Sequence, residues 1–156
     1  MKVHELLKSN FIISDLKSDT KEGVINELIN LFTDDNRVTD LEKIRTAVLD
    51  REKIMSTGVG KGFAIPHGKT AAVKEIIAAF GIAKKPVDYQ SLDNEPVNLI
   101  FLLIGKDNLI SSHIKLLSRI SRMMNKDDFR SKLSSASSAD AIMEIFREEE
   151  SNYYDI

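Results

Sequence analysis

The short apolar run Phe11–Ser14 predicts a strand near the start of the chain. After it, apolar residues recur at helical spacing. Two stretches, Asp19–Glu22 and Thr39–Glu42, place a possible N-cap residue three positions before a glutamate, as in a capping box. The first predicts a helix that ends near Phe32, and the second predicts a helix that ends near Ile54. The inward-facing positions of these two helices are Val24, Ile25, Leu28, Ile29, Phe32, Leu41, Ile44 and Val48.

The middle of the chain carries three strand candidates, of which the first, Gly62–Ile65, is short. The other two, Ile76–Ala83 and Val97–Ile104, are nearly continuous apolar runs. Runs of this kind are typical of strands that are covered on both faces. Residues 84–96 between them form a polar segment with two prolines, which predicts a loop.

The last third of the chain predicts three helices, because its apolar residues return to helical spacing. The third of these helices is expected to turn Ala141, Ile142, Ile145 and Phe146 inward. The full element order is then β-α-α-β-β-β-α-α-α, and the economical packing is an α/β fold with the sheet between two helix layers. The three helices run from Ser111 or Ser112 to about Asn125, over about Asp127–Leu133, and from Ser137 or Ser138 to about Glu149.

The composition excludes some classes of function and leaves the fold prediction unchanged. The chain has 156 residues, which predicts one domain over residues 1–150, followed by a tail, 151–156, without a clear pattern. A net charge of −2 does not indicate a nucleic-acid-binding surface. No apolar run approaches the ~20 residues of a membrane helix, and the N-terminus lacks the apolar core of a signal peptide. We therefore expect a cytoplasmic protein that does not insert into the membrane.

Three polar residues lie where the pattern suggests a site. His113 lies on the core-facing side of its helix, in the first turn, where a helix carries partial positive charge and free N–H groups. Arg51 follows Val48 by three positions and continues the inward stripe of the second helix. His67 ends a glycine-rich loop of a kind that often binds phosphate through backbone N–H groups.

Spacing alone leaves the roles of these residues open. The positive charge of Arg51 is favourable at the C-terminus of a helix because of the helix dipole, without any role in a site. His113 is compatible with a structural hydrogen bond. His67 is compatible with a structural residue, a base, a metal ligand or a nucleophile. Two histidines without a carboxylate at ligand spacing disfavour zinc, which takes three or four ligands. The absence of cysteine excludes thiolate metal sites and a cysteine nucleophile within this sequence.

Three segments carry a resemblance that covers nearly the whole chain: DREKIMSTGVGKGFAIPHGK, PVNLIFLLIG and SSHIKLLSRIS. Together they resemble the enzyme IIA domains of the fructose–mannitol family, including the nitrogen-regulatory type, of the bacterial phosphoenolpyruvate-dependent sugar phosphotransferase system. The resemblance implies a three-layer α/β/α sandwich with a mixed central sheet. It also implies a phosphotransferase component that works through a phosphohistidine intermediate and needs no cofactor or metal.

The resemblance also assigns roles to particular residues. His67 matches the histidine that accepts the phosphoryl group, usually on Nε2, Arg51 matches the arginine near that group, and His113 matches the supporting histidine. Weaker phosphate contacts are implied for the glycine loop, at Ser56, Thr57, Gly58 and Gly60.

The implied partners are other proteins of the same system. The donor is the phosphorylated histidine-containing phosphocarrier protein, and the acceptor is a cysteine of a IIB component. Because this sequence has no cysteine, we expect IIB to be a separate protein. We also expect one side of the site to be open and apolar so that the two carriers dock in turn. The resemblance fits transport of a fructose- or mannitol-like sugar. It also fits a regulatory protein whose phosphorylation state controls binding to partner kinases or transporters.

Overall fold

The computed structural model describes residues 2–153, which form six helices, six strands and one short 3-10 turn at Ser9–Phe11. The helices are α1 (Val3–Leu6), α2 (Lys21–Asn30), α3 (Leu41–Ile54), α4 (Ile110–Met124), α5 (Asp127–Ser135) and α6 (Ala139–Tyr153). The strands are β1 (Ile12–Ile13), β2 (Gly58–Gly60), β3 (Phe63–Ala64), β4 (His67–Thr70), β5 (Ile77–Val87) and β6 (Val97–Lys106).

All six strands belong to one mixed sheet whose centre is the long antiparallel pair of β5 and β6. Strand β1 pairs with β5 in parallel at one edge. On the other side, β3 and β4 pair in parallel with successive parts of β6, and β2 pairs antiparallel with β3. The apolar runs of β5 and β6 therefore occupy the middle of the sheet, where both faces are buried.

Two apolar cores lie on opposite faces of the sheet, which confirms the predicted α/β/α layers. On one face, side chains such as Phe80, Phe101 and Leu103 pack with residues of α1, α4, α5 and α6. On the other face, Ala79, Ile100 and Leu102 pack with residues of α2 and α3. The alternation of side chains along each strand divides them between the two cores.

The predicted strands and helices are present, and the structure adds four short elements. These are α1, the 3-10 turn and the strands β2 and β4, none longer than four residues. Such short elements contain too few residues for apolar periodicity to reveal them. In addition, β5 continues to Val87, so that Pro86 lies within a strand and not in the predicted loop.

The helix starts differ from the predictions by one or two residues. Thr20, not Asp19, caps α2 by accepting the N–H of Gly23. Asp40, not Thr39, caps α3 by accepting the N–H groups of Glu42 and Lys43. Each cap accepts free N–H groups of the first helical turn, as expected of an N-cap, but lies one position later in the sequence than predicted.

The C-terminal helices also differ in detail from the prediction. Helix α4 begins at Ile110 without a side-chain cap, so the two candidate serines lie inside its first turn. In α6, Ala141 is exposed, which makes its predicted inward position wrong, whereas Ile142 and Phe146 are buried. The predicted tail begins within α6, which ends at Tyr153, and its last three residues lie outside the described part of the chain.

Candidate functional site

His67 opens β4 at a bend along the edge of the sheet. Ile65 and Pro66 separate β3 from β4, and both strands pair with β6. The Nδ1 atom of His67 lies 2.8 Å from the carbonyl oxygen of Ile65. Because a carbonyl oxygen only accepts hydrogen bonds, Nδ1 carries the proton and donates it. The lone pair of the neutral imidazole is therefore on Nε2.

His113 lies beside His67, although the two are far apart in sequence. It is in the first turn of α4, 2% exposed, and its ring centroid is 5.5 Å from that of His67. The ring lies over Gly105 so closely that a Cβ atom at Gly105 would collide with Nδ1 of His113. Neither ring nitrogen of His113 has a hydrogen-bond partner among residues 2–153. A buried imidazole without a partner is uncommon and needs an explanation.

Burial favours the neutral form of both imidazoles. It lowers the pKa of His113 to about 4, with further lowering by His67 when that ring is protonated and by the charge of Lys69. Burial also lowers the pKa of His67, and the charges of Arg51 and Lys69 act in the same direction. The bond to Ile65 and the charge of Glu52 oppose this lowering of the His67 pKa. A neutral imidazole is the form that can act as a nucleophile or accept a proton.

The depressed pKa of His113 predicts how stability depends on pH. Its pKa falls from 6.5 to about 4 on folding, so between these values the unfolded chain binds a proton that the folded chain does not. This contribution to stability is fully present above pH 6.5 and is lost as the pH falls towards 4, by about 3 kcal/mol in total. Urea unfolding across this range should show a shallower fall in stability for His113→Gln than for the wild type. Equal slopes would contradict the buried neutral imidazole.

Arg51 lies at the C-terminal end of α3, where its Nη1 atom donates a hydrogen bond of 2.9 Å to the carbonyl oxygen of Met55. Helix α3 packs against β4, since a Cβ atom at Gly68 would lie 3.1 Å from backbone atoms of Ala47 and Val48. The structure therefore places Arg51 on the helix beside the strand that opens with His67. The charge of Arg51 lowers the pKa of His67. Arg51 itself is only partly buried, and the buried position at this end of α3 belongs to Glu52.

Glu52 is the centre of a buried polar network that the sequence prediction missed. Its carboxylate accepts the N–H of Thr57 at 2.8 Å, the hydroxyl of Thr57, and the hydroxyl of Tyr89 at 3.1 Å. Lys21 pairs with the same carboxylate at 2.9 Å and lies over the ring of Tyr89. The spacing Ile44, Val48, Glu52 was the available signal, since positions four apart share a helix face.

This network anchors the glycine-rich segment that leads to His67. The N–H groups of Thr57 and Gly58 are bonded to Glu52 and to the hydroxyl of Ser56. Gly58–Gly60 pairs with β3 as a hairpin, in which Gly60 has a φ of 111° that favours glycine. The predicted phosphate contacts of Ser56, Thr57, Gly58 and Gly60 stay predictions, and two of their N–H donors already have protein acceptors.

Comparison with known proteins now decides the family. The sequence profile described as "Phosphoenolpyruvate-dependent sugar phosphotransferase system, EIIA 2" matches residues 5–149. This chain belongs to the EIIA 2 family. The resemblance carried by the three sequence segments is thereby confirmed.

Related proteins fall into two groups. The fructose-specific EIIABC component of Bacillus subtilis is 38% identical over 95% of this chain, which spans only 23% of that longer protein. The fructose-specific EIIA component of Haloferax volcanii is 36% identical over 83% of this chain and 84% of its own length. The nitrogen regulatory protein of Bradyrhizobium diazoefficiens is 33% identical over 93% of this chain and 94% of its own length.

A solved structure gives the same fold. Nitrogen regulatory protein IIA-Ntr from Neisseria meningitidis superposes with a TM-score of 0.86 at 30% identity, covering 92% of this chain and 98% of that one. The mannitol IIA of Escherichia coli, at 22% identity and a TM-score of 0.76, supports the fold alone.

The EIIA 2 chain exposes apolar side chains on two segments that flank the histidines. One segment ends α3 beside Arg51, and the other is the start of α4 that carries His113. Large apolar side chains grouped at the surface commonly mark a protein interaction site. The exposed apolar residues on these segments are Ile54, Met55, Leu109, Ile110 and Ile114.

Over residues 2–153 there is no group of three or more His, Cys, Asp or Glu side chains that could hold a metal ion. No helix in the same range is both long enough and apolar enough to cross a membrane.

Proposed function

We propose that this EIIA 2 domain carries a phosphoryl group on Nε2 of His67. The donor is the phosphorylated histidine-containing phosphocarrier protein. The acceptor is a cysteine of a IIB component that takes part in the uptake of a fructose- or mannitol-like sugar. Both transfers take place in the cytoplasm. The observation that carries this proposal is the Nδ1 bond of His67 to the carbonyl of Ile65, which leaves Nε2 as the nucleophilic nitrogen.

The transfer step needs only a neutral nucleophile and a positioned donor. The P–N bond of the donor's phosphohistidine breaks as the bond from phosphorus to Nε2 of His67 forms, and the electron pair returns to the donor nitrogen. The proton on Nδ1 stays in its bond to Ile65 throughout. Transfer onward reverses these roles, as a IIB thiolate attacks phosphorus and Nε2 recovers its lone pair. Phosphoryl transfer of this type depends on positioning and on stabilised charge.

The neighbouring residues supply these two requirements. Arg51 offers a guanidinium whose planar fork suits phosphoryl oxygens. His113 has a lowered pKa that favours its neutral form, and neither ring nitrogen has a hydrogen-bond partner among the described residues. The single N–H of this neutral ring is therefore free to donate to a phosphoryl oxygen. The exposed apolar side chains at the ends of α3 and α4 offer a surface on which each carrier docks in turn.

The fructose-specific relatives support transport as the physiological role. Three of the similar proteins are named as fructose-specific components, and one structural neighbour is a complex of IIA mannitol with phosphorylated IIB mannitol. No cysteine occurs among the 156 residues, so the accepting thiol lies outside them.

A relay assay tests this proposal. The wild-type chain is incubated with phosphoenolpyruvate, enzyme I and the histidine phosphocarrier, and then mixed with isolated fructose-type and mannitol-type IIB domains. We expect an acid-labile phosphoryl group on the chain that moves to one IIB cysteine. If the chain takes no phosphoryl group while a known EIIA in the same tube is modified, the carrier role is wrong.

A regulatory role is the second candidate, and the nitrogen regulatory relatives favour it. In that case His67 is still phosphorylated, and the added charge of roughly −2 alters binding to a partner kinase or transporter. The same assay separates the two roles. A chain that accepts phosphate and delivers it to neither IIB domain, while a control EIIA delivers to both, supports regulation and contradicts transport.

A further inference from the structure

Lys69 lies on the same side of the sheet as the two histidines. His67 and Lys69 are two residues apart in β4, and alternate residues of a strand point to the same face. In the parallel pairing of β4 with β6, Leu103 is the partner of His67 and Gly105 is the partner of Lys69. Since Gly105 is the residue on which the ring of His113 lies, Lys69 is next to both imidazoles.

The ammonium group of Lys69 is uncommitted. The Lys69 side chain is exposed, and its ammonium group makes no hydrogen bond or ion pair among residues 2–153. By contrast, Lys21 is paired with Glu52, and Lys53 lies 3.9 Å from Asp50. The charge of Lys69 nevertheless reaches the site, because it lowers the pKa of both His67 and His113. A cation held near two neutral imidazoles has no favourable partner until an anion arrives.

We propose that Lys69 is a phosphoryl-binding residue of this site, which pairs its ammonium group with the phosphoryl oxygens on His67 and shares that charge with Arg51. This inference rests on the proposed phosphorylation of His67. A phosphoryl group carries a charge of roughly −2 near neutral pH, and Arg51 alone offsets only half of it. Glu52 adds a negative charge, but Lys21 already balances it. Lys69 therefore completes the charge balance of the phosphorylated state.

Arg51 and Lys69 differ in mobility, which fits them to separate roles in binding the phosphoryl group. Arg51 is tied to the carbonyl of Met55 and acts as a fixed element. Lys69 has a flexible four-carbon stem and a compact charge, so that it can follow the phosphoryl group as it moves between Nε2 of His67 and a docked carrier.

The test compares Lys69→Gln, Lys69→Arg and the control Lys85→Gln, which removes the same charge from an exposed lysine on β5. Each variant is phosphorylated by the histidine phosphocarrier and, separately, by phosphoramidate, a small donor that does not dock. With phosphoramidate its P–N bond breaks, the P–Nε2 bond forms, and the nitrogen leaves as ammonia after taking a proton from water. The pH is chosen so that both imidazoles are neutral.

We expect Lys69→Gln to lower the phosphorylation rate about tenfold with both donors. Lys69→Arg should stay within about threefold of the wild type, since it keeps the positive charge, and Lys85→Gln should match the wild type. NMR titration of the imidazoles should show higher pKa values for His67 and His113 in Lys69→Gln. The pKa change shows only that the Lys69 charge is near the two imidazoles. A Lys69 ammonium group that does not bind the phosphoryl group would leave the phosphorylation rate unchanged.

The possible failures are distinguishable. If the wild type takes no phosphoryl group from either donor, the proposed function is wrong, and this inference falls with it. If the wild type is phosphorylated and Lys69→Gln reacts at the same rate, only the role of Lys69 is wrong. A loss of rate confined to the protein donor would also overturn the inference, because it would assign Lys69 to docking.

Discussion

Replacing His67 with glutamine is expected to abolish phosphoryl acceptance, with a rate at least about a thousandfold below that of the wild type. The side-chain amide of glutamine is similar in size to the imidazole but offers no nucleophilic nitrogen. The fold should be unaffected, because His67 is only partly buried at the start of a strand. Rapid-quench phosphorylation with labelled phosphoenolpyruvate, enzyme I and the histidine phosphocarrier measures this rate.

His4→Gln is the matched control, since His4 is one of the three histidines and lies outside the site, bonded to Glu150. It should be phosphorylated at the wild-type rate. Wild-type acceptance by His67→Gln, or loss of acceptance in His4→Gln with the fold intact, would assign the phosphoryl group to another residue.

Glu52→Ala is expected to lower the free energy of unfolding by about 3 kcal/mol, because its carboxylate is buried and satisfies several groups at once. Its removal leaves the ammonium group of Lys21, the N–H of Thr57 and the hydroxyl of Tyr89 without their acceptor. Glu52→Gln keeps one oxygen acceptor and should fall between the wild type and Glu52→Ala. Urea unfolding of the three proteins measures these differences.

The control for this series is Glu42→Ala on the same helix, where the carboxylate is exposed and pairs with Arg45. An exposed pair of this kind contributes about 0.5 kcal/mol or less. If Glu52→Ala unfolds like Glu42→Ala, the network around Glu52 does not stabilise the segment that leads to His67.

The sequence predicted the long elements of the fold because each carries enough apolar residues to establish a period. The continuous runs of β5 and β6 indicated strands buried on both faces, and they are the central pair of the sheet. The short strands β2 and β4 were not predictable in this way. Strand β4 forms because the segment after Ile65 and Pro66 pairs with the edge of β6, and β2 forms because it pairs with β3.

The candidate site was only partly predictable from local patterns. The inward spacing of α4 indicated His113, and the glycine-rich loop indicated His67. No local sequence pattern predicted that the two rings lie 5.5 Å apart. That contact depends on the register of β4 against β6 and on Gly105, which leaves room for the ring of His113. The resemblance to the EIIA 2 family supplied the pairing that spacing could not.

Glu52 is the opposite case, because its spacing does indicate the buried position. It continues the series Ile44 and Val48 at four-residue spacing, whereas the sequence prediction places Arg51 inward and the structure leaves Arg51 partly buried. A prediction that assigns apolar residues to the core does not identify a buried carboxylate. Such a carboxylate is stable only when other parts of the fold supply its hydrogen-bond and ion-pair partners. Thr57 is near in sequence, but Lys21 and Tyr89 come from α2 and from the segment after β5, which no local window contains.

The most direct test of the central claim is NMR of the imidazole nitrogens in the phosphorylated wild-type chain. The account predicts coupling to phosphorus at Nε2 of His67, with the proton on Nδ1 retained in its bond to Ile65. Coupling to phosphorus at Nδ1 of His67, or at either nitrogen of His113, would contradict it.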